Sequence, residues 1–295
     1  MSGRISTLVA LALVLFAVLG AGPPRARAGT DGETAVAPAT LRVLLVGNSY
    51  SNFNDLPELL EDMAASVPNG PALQVDIAFQ GGVGLKTHWE RGHAKAMLRE
   101  GRYTHVVLQG HSRAVFDDPD ELIDYTARFK RVIDDVGARA VLFATWARHP
   151  SSDLYALGRD AHSPTEMQAR IDTLYGKVGE HTGAKVAPVG EAWLVAADRW
   201  PRLRLHRADA SHPTRLGTYL AASVLYGGLT GRDPEAIRHA LPGVSPAVLA
   251  RLRAVAAESL HERPPLDGAA VAESADELGA PVASQERASS LLCTP

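Results

Sequence analysis

The sequence predicts an α/β fold in which helices cover both faces of a parallel sheet. Two observations support this prediction. Short apolar segments of strand character alternate with longer segments of helical period along most of the chain. Most of the strand segments are apolar almost without interruption, which is typical of parallel strands buried on both faces. Strands of this kind are joined by right-handed crossovers, so we expect their carboxyl ends to share one edge of the sheet.

Five segments are predicted to be strands. The first is apolar almost throughout and stops at the turn Gly47-Asn48-Ser49, as expected of a central strand. The second alternates with a period of two, and the fifth contains Pro188 near its end, as an outer strand tolerates. The predicted strands are 41–47, 73–79, 105–108, 140–144 and 185–189.

The segments between and after these strands are predicted to be helices. The first of them follows Asn54 and Asp55, which are capping residue types, and has Pro57 in its first turn. Two further helices after Asp233 are expected to close the domain. The predicted helices are 56–66, 87–100, 119–136, 164–182, 216–230, 234–240 and 246–261.

Residues 1–28 have the pattern of a secretory signal peptide. Arg4 supplies a positive charge, residues 8–19 form an apolar run, and Ala26-Arg27-Ala28 gives a small-x-small cleavage pattern before Gly29. The apolar run is too short for a stable membrane span, and a retained amino-terminal anchor is the alternative. We therefore expect a secreted or periplasmic protein.

The rest of the chain divides into four parts by composition. Residues 29–40 are expected to be a linker, and 41–233 contains every predicted strand. A helical extension follows at 234–262. From 263 to 295 the chain turns to Pro, Ala, Ser and Glu with little to bury, which predicts a disordered tail.

Charge and cysteine content exclude several classes of protein. The formal net charge is −3, so the composition does not suggest a nucleic-acid-binding protein. Cys293 is the one cysteine, which excludes an intramolecular disulfide and argues against a thiolate zinc site or a cysteine nucleophile in the core. An exported protein without disulfides depends on its apolar core for stability, and this chain is long enough to bury one.

Ser49 is the first candidate for chemistry. It lies between a predicted strand and a predicted helix, at the sheet edge where open α/β proteins bind their ligands. A hydroxyl held there is placed to act as a nucleophile, and the alternative is a serine that only caps the turn.

Asp209-Ala210-Ser211-His212 supplies the acid and base that a serine nucleophile requires. An Asp-x-x-His sequence on a loop lets the carboxylate reach Nδ1 of the imidazole and leaves Nε2 free for a serine elsewhere. Pro213 disfavours a helical conformation at His212. The alternative is a solvated loop histidine without a partner.

Two segments at other strand ends are candidates for an oxyanion hole, the set of donors that stabilises a negatively charged intermediate. Residues 79–85 form a glycine-rich turn that opens a helix and presents backbone N–H groups; a phosphate is its alternative ligand, although no phosphate-loop pattern is present. Gln109 places a side-chain amide at the end of the third strand, where the alternative is a structural hydrogen bond.

The remaining polar and aromatic candidates are weaker. Trp89, Trp146 and Arg148 follow strand ends and are candidates for lining a substrate cleft, although two of the three are expected to be packing residues. Two pairs of histidines have spacings that make poor metal sites. His88 and His93 are five positions apart in a predicted helix and so do not share a face, and His206 and His212 are six positions apart on a loop.

The ordered set of these motifs resembles the SGNH (GDSL-like) hydrolases over about residues 41–233. The resemblance implies a flavodoxin-like three-layer αβα sandwich, with Ser49 as nucleophile, His212 as base and Asp209 as acid. It also implies an oxyanion hole built from the N–H of Ser49, a glycine N–H and a side-chain amide. Gly84 matches the glycine best by its position before the following helix, with Gly82 as the alternative.

Two motifs depart from the family pattern. The first block reads Gly-Asn-Ser-Tyr-Ser instead of Gly-Asp-Ser-Leu. The third block is Gln109-Gly110-His111-Ser112, which resembles the Gln-Gly-Glu-Ser element of carbohydrate acetylesterases. On that resemblance Gln109 is the third oxyanion donor, and His111 replaces a glutamate as a possible substrate contact.

The resemblance implies a secreted serine esterase that acts on short acyl esters or acetylated carbohydrate. It implies no metal and no cofactor, and we expect no nucleic-acid partner and no membrane association after signal cleavage. A thioesterase or acyltransferase on the same scaffold stays open. So does a binding module whose triad is idle, and a flavodoxin-like nucleotide binder is the least favoured alternative. The sequence does not indicate an oligomeric state.

Overall fold

A computed structural model of the protein describes residues 40–100, 102–158 and 161–261. Five parallel strands form one sheet in the order β2-β1-β3-β4-β5, the order of flavodoxin-like folds. The predicted parallel α/β fold is therefore confirmed. The strands are β1 (Thr40–Gly47), β2 (Ala72–Phe79), β3 (His105–Leu108), β4 (Arg139–Phe143) and β5 (Lys185–Ala187).

Eleven α-helices lie in the described ranges, together with 3₁₀ turns at Phe53–Asp55 and Pro234–Ala236. The helices are α1 (Ser49–Asn52), α2 (Leu56–Ala65), α3 (Leu85–Arg91), α4 (His93–Arg99), α5 (Ala114–Asp117), α6 (Pro119–Asp135), α7 (Asp153–Ala156), α8 (Pro164–Thr182), α9 (Val189–Arg199), α10 (Arg215–Thr230) and α11 (Pro246–His261).

Alternate residues of the central strand belong to two separate apolar cores. Val43 and Leu45 pack with α2, α9, α10 and α11 on one face of the sheet. Leu44 and Val46 pack with α3, α4, α6 and α8 on the other. All four side chains are fully buried. A strand buried on both faces explains why its sequence is continuously apolar and does not alternate.

The structure corrects three predicted elements. The helix predicted at 87–100 is divided into α3 and α4 at Gly92, whose φ of +78° interrupts a helix. The helix predicted at 234–240 is only a 3₁₀ turn. The fifth strand ends at Ala187, since Pro188 has no N–H for the ladder, and the unpredicted α9 begins directly after it.

Several predicted segments lie outside the described residues. These are the signal peptide at 1–28, almost all of the linker at 29–40 and the tail at 263–295. Among the helices of the described ranges, none combines the length and apolar character that a membrane span requires.

The strand order places the end of β1 at a special point of the sheet. β1 lies between β2 and β3, so the connections from β1 and β2 leave the sheet in opposite directions. In open α/β sheets the crevice at such a switch point is where ligands bind. Ser49 follows β1 directly and therefore lies at this crevice.

Candidate active site

Asn48 fixes the turn that presents Ser49. Its side-chain oxygen accepts a hydrogen bond from the Tyr50 N–H (3.1 Å) and caps α1. Its side-chain nitrogen donates to the Val83 carbonyl in the glycine-rich turn after β2 (2.9 Å). The buried Asn48 amide thus ties the loop after β1 to the loop after β2.

Gly47 allows the close approach of the third strand end to this turn. A Cβ added at Gly47 would lie 2.7 Å from the Gln109 Oε1 and closer still to the Ser51 hydroxyl. No larger residue fits without displacing these side chains. The glycine before the serine is therefore a packing requirement of the turn.

The structure brings Ser49, His212 and Asp209 into one hydrogen-bonded chain. The Ser49 Oγ lies 3.0 Å from Nε2 of His212, although 163 positions separate the two residues. Nδ1 of His212 lies 2.8 Å from the Asp209 Oδ2. A carboxylate only accepts, so Nδ1 carries the proton and Nε2 accepts from the serine hydroxyl. This is the tautomer that a general base requires.

The loop of Asp209 is folded around its own carboxylate. Oδ1 accepts hydrogen bonds from the N–H groups of Ser211 (3.0 Å) and His212 (2.9 Å). Desolvation acts in the opposite direction, but these bonds and the contact with the His212 ring lower the pKa of Asp209 to about 2. Asp209 is therefore ionised at neutral pH and holds the imidazole in place.

Two aromatic residues close to Ser49 in sequence contact the His212 ring. Phe53 stacks on the His212 ring with centroids 4.4 Å apart, and Tyr50 meets the same ring edge-on at 5.6 Å. The Tyr50 hydroxyl also lies 2.8 Å from the Ser211 Oγ. No sequence motif marks Tyr50, Phe53 or Ser211, because each acts through contacts distant in sequence.

Gly84 and Gly82 differ in their surroundings. Gly84 precedes α3, and a Cβ added there would lie 3.6 Å from the His111 Cβ, so it lies beside the loop after β3. Gly82 has a φ of +70° and no atom within 4 Å of an added Cβ. Asn48 also holds the carbonyl of the Val83–Gly84 peptide, which orients the Gly84 N–H. Gly84 is thus the better-positioned candidate of the two.

Gln109 lies beneath the turn and does not face the crevice. Its Oε1 accepts from the Asn48 N–H (3.0 Å) and from the Ser51 hydroxyl (2.9 Å). Its Nε2 donates to the Gly110 carbonyl, and the side chain has no exposed surface. This geometry corrects the expectation that Gln109 is the third oxyanion donor, and it matches the alternative of a structural hydrogen bond.

The aromatic substrate-binding candidates are packing residues in this structure. Trp146 is 1% exposed and stacks between Tyr50 (4.5 Å) and Trp193 (4.1 Å). Its indole N–H donates to the Ser211 carbonyl (3.0 Å), so it supports the loop of His212. Trp89 lies edge-on against Phe129 of α6 (5.2 Å). The Trp146 ring is therefore not free to stack on a substrate, and Trp89 is half-buried against α6.

His111 and Arg148 lie at the crevice. The His111 side chain is 35% exposed and its Nδ1 lies 3.7 Å from the Asp117 carboxylate. Burial is the main influence that lowers the His111 pKa, with Asp117 acting against it. Arg148, which follows β4, donates to the hydroxyls of Tyr50 and Ser112. The structure thus leaves these two side chains as the candidates for substrate contact.

The histidines expected not to bind metal have other partners. His88 donates from Nε2 to the Gly47 carbonyl (3.0 Å), and burial lowers its pKa, which favours the neutral ring. His206 donates to the Ala147 carbonyl (3.0 Å). In the described ranges no three His, Cys, Asp or Glu side chains cluster as a metal site would require. His88 is a support of β1 that the sequence did not reveal.

No protein-family model and no curated protein matches the chain. Among solved structures, a candidate SGNH hydrolase from Slackia heliotrinireducens is 25% identical, with a TM-score of 0.56 over 64% of this chain and 98% of that one. A DUF4886 family protein from Bacteroides uniformis is 18% identical, with a TM-score of 0.62 over 75% of this chain and 95% of that one.

An acetyl xylan esterase, AlAXEase, is 13% identical, with a TM-score of 0.50 over 64% of this chain and all of that one. At such identities the second and third similarities show the fold alone. The strand order, the crevice at the end of β1 and these solved structures agree, and the chain has the fold of the SGNH hydrolases.

Proposed function

We propose that the protein is a serine hydrolase that cleaves ester bonds through Ser49, His212 and Asp209. The observation that carries the proposal is the chain of two hydrogen bonds, 3.0 and 2.8 Å long, from the serine hydroxyl through the imidazole to an ionised carboxylate. The similarity to hydrolase structures supports it at the level of the fold.

The mechanism follows from the position of the protons. The Ser49 oxygen attacks the ester carbonyl while Nε2 of His212 takes the hydroxyl proton. Asp209 accepts from Nδ1–H and stabilises the imidazolium. The imidazolium then protonates the leaving alcohol as the carbonyl–alcohol bond breaks. Water repeats the sequence on the acyl-enzyme and releases the acid.

We assign the oxyanion hole to backbone donors. The Ser49 N–H lies at the start of α1, and the Gly84 N–H belongs to the peptide that Asn48 orients. Preorganised donors of this kind each contribute about 2.7–4 kcal/mol to lowering the barrier. The Oε1 of Gln109 accepts a hydrogen bond from the Asn48 N–H, next to Ser49, and so we treat Gln109 as a positioning residue.

Short acyl groups, such as O-acetyl groups on carbohydrate, are the substrate class that we propose. The support is the resemblance of Gln109-Gly110-His111-Ser112 to the third block of carbohydrate acetylesterases. Transfer of the acyl group to an acceptor other than water uses the same acyl-enzyme, and product analysis distinguishes the two reactions. We also propose that 1–28 is a cleaved signal peptide and that the enzyme acts outside the cytoplasm.

Turnover of para-nitrophenyl acetate by wild type, Ser49→Ala and Ser51→Ala tests the assignment. Ser51 is a matched control, because it lies in the same turn but its buried hydroxyl donates to Gln109. We expect Ser49→Ala to lower kcat by roughly 10⁶-fold and Ser51→Ala to retain most activity. Equal turnover by wild type and Ser49→Ala would contradict the proposal.

A further inference from the structure

Arg148 is a half-buried cation, and its acceptors among the described residues are neutral. Nη1 donates to the Tyr50 hydroxyl (2.6 Å) and Nη2 to the Ser112 Oγ (2.9 Å). Burial raises the pKa of Tyr50, so this phenol is uncharged at neutral pH. Within the described ranges no carboxylate lies within ion-pair distance of this guanidinium.

An unpaired cation in this position has a free-energy cost. A charge that is partly removed from water is stabilised poorly by neutral hydroxyls and well by an opposite charge. A guanidinium has five N–H donors, and the two hydroxyls occupy two of them. The other three donors have no acceptor among the described residues.

Arg148 is also connected, through one side chain each time, to the residues beside Ser49 and His212. Its acceptor Tyr50 directly follows Ser49, and the same hydroxyl contacts Ser211, which directly precedes His212. Its other acceptor, Ser112, belongs to the loop after β3 that carries His111. Arg148 is thus linked through one hydroxyl to the sequence neighbours of both Ser49 and His212.

The space beside Arg148 is large and basic. A cavity of about 870 Å³ is lined by Arg148 and by residues of the loop that leads to Asp209. Three more arginines line it, and Asp198 is its one acidic lining residue. The additional arginines are Arg202, Arg204 and Arg207. Their field attracts anions, in a protein whose formal net charge is −3.

We propose that Arg148 binds a carboxylate carried by the ester substrate, so that the protein prefers anionic esters to neutral ones of the same size. The planar guanidinium matches a carboxylate with two parallel hydrogen bonds. This inference rests on the proposed ester hydrolysis and adds the charge of the substrate to it. The residue acts on specificity and does not touch the reacting carbonyl.

Two pairs of matched esters test the preference. The first pair places the charge on the alcohol: 4-acetoxybenzoate is compared with neutral 4-acetoxybenzamide. The second places it on the acyl group: the para-nitrophenyl monoester of adipic acid is compared with para-nitrophenyl hexanoate. We expect kcat/KM to be about tenfold to a hundredfold higher for the anion in at least one pair. A ratio of one or less in both pairs would overturn the proposal.

Variants then assign the preference to Arg148. Arg148→Gln is expected to bring the ratio close to one, and Arg148→Lys, which keeps the charge, to retain part of it. Arg128→Gln is the matched control, since it removes an exposed arginine on α6 that lies over Tyr125, and we expect it to keep the wild-type ratio. If Arg148 only braces the loops, its loss lowers both members of a pair equally, and that result would overturn the assignment.

Failure of the proposed function gives a different pattern. If no ester is turned over in a Ser49-dependent way, the hydrolase assignment fails, and binding of 4-hydroxybenzoate and adipate to the wild type, measured by calorimetry, still tests the anion site. Binding that Arg148→Gln weakens about tenfold or more supports the site. Absence of binding, together with absence of turnover, overturns it. The wild-type measurements do not depend on whether the variant folds.

Discussion

The loop of Asp209 and His212 and the end of β3 at Gln109 contribute to the same turn in opposite ways. The first is open, with side chains 46% and 29% exposed, and its hydrogen bonds lead to the Ser49 hydroxyl. The second is fully buried, and its hydrogen bonds lead to the backbone beneath that serine. On the proposed mechanism, the first side exchanges protons with a substrate and the second holds the turn.

A polar residue at a strand end can therefore serve either a ligand or the fold. Both motifs lie at the carboxyl edge of the sheet, and both have side chains capable of chemistry. Only the exposed one can meet a substrate, because the Gln109 side chain has no exposed surface and its Nε2 donates to the Gly110 carbonyl. Substitutions on the open side should therefore change catalysis, and those on the buried side should change stability.

Asp209→Asn tests the open side and has the largest expected effect. The asparagine oxygen can still accept the N–H groups of Ser211 and His212, but its amide would donate to Nδ1 and place the ring proton on Nε2, facing Ser49. We expect kcat to fall roughly 10⁴-fold. The free energy of unfolding should change by about 1 kcal/mol or less, since the pair is exposed.

Steady-state kinetics and urea unfolding of Asp209→Asn measure the two effects separately. Retention of more than a tenth of the wild-type kcat would show that the carboxylate does not orient the base.

Gln109→Ala tests the buried side. It leaves the Asn48 N–H and the Ser51 hydroxyl without an acceptor, and each buried unsatisfied group costs about 1–3 kcal/mol. We expect a loss of about 2–5 kcal/mol in the free energy of unfolding, measured in urea. Ser51→Ala, which removes only one of the two donors, should cost about 1 kcal/mol.

An oxyanion donor would behave differently at this position. The outcome that contradicts the structural role of Gln109 is a fall of 10²–10³-fold in kcat with unchanged stability.

His206→Gln tests the support beneath the open loop and has the smallest effect. Burial is the main cause that lowers the pKa of His206 to about 4, from an ordinary 6.5. Between pH 6.5 and 4, His206 therefore binds a proton in the unfolded chain more readily than in the folded one. The contribution of His206 to the free energy of unfolding is fully present above about pH 6.5. It declines as the pH falls toward 4, by at most about 3 kcal/mol.

The unfolding free energy of His206→Gln should fall less steeply than that of wild type between pH 7 and 4. Glutamine does not titrate, and its amide keeps a donor for the Ala147 carbonyl. Parallel profiles for wild type and His206→Gln would contradict this account.

Much of the fold and the open side of the site follows from local sequence. Strands buried on both faces are continuously apolar, so their runs and the glycine turn after β1 indicate a parallel sheet with Ser49 at its edge. Asp209 and His212 lie three positions apart on one loop, so their contact needs no knowledge of the fold. The helix after β5 was missed, because Val189 continues an apolar run that only the missing N–H of Pro188 ends.

The direction of a strand-end side chain was not predictable, because it depends on partners from other strands. Gln109 turns inward since the Asn48 N–H and the Ser51 hydroxyl, about 60 positions earlier, require its oxygen. Arg148 reaches Tyr50 across 98 positions. A short motif contains no information on such contacts. It can place Gln109 and Arg148 at strand ends, but it cannot show what their side chains do there.

Reaction with a serine-directed fluorophosphonate tests the central claim, that His212 activates Ser49, most directly. Intact-mass and peptide mass spectrometry of the labelled protein should show one phosphonyl group on Ser49, no label in Ser49→Ala, and an undiminished label in Ser51→Ala. Asp209→Asn should be labelled far more slowly than wild type. A wild-type protein that stays unlabelled, or carries the group on Ser51, would contradict the account.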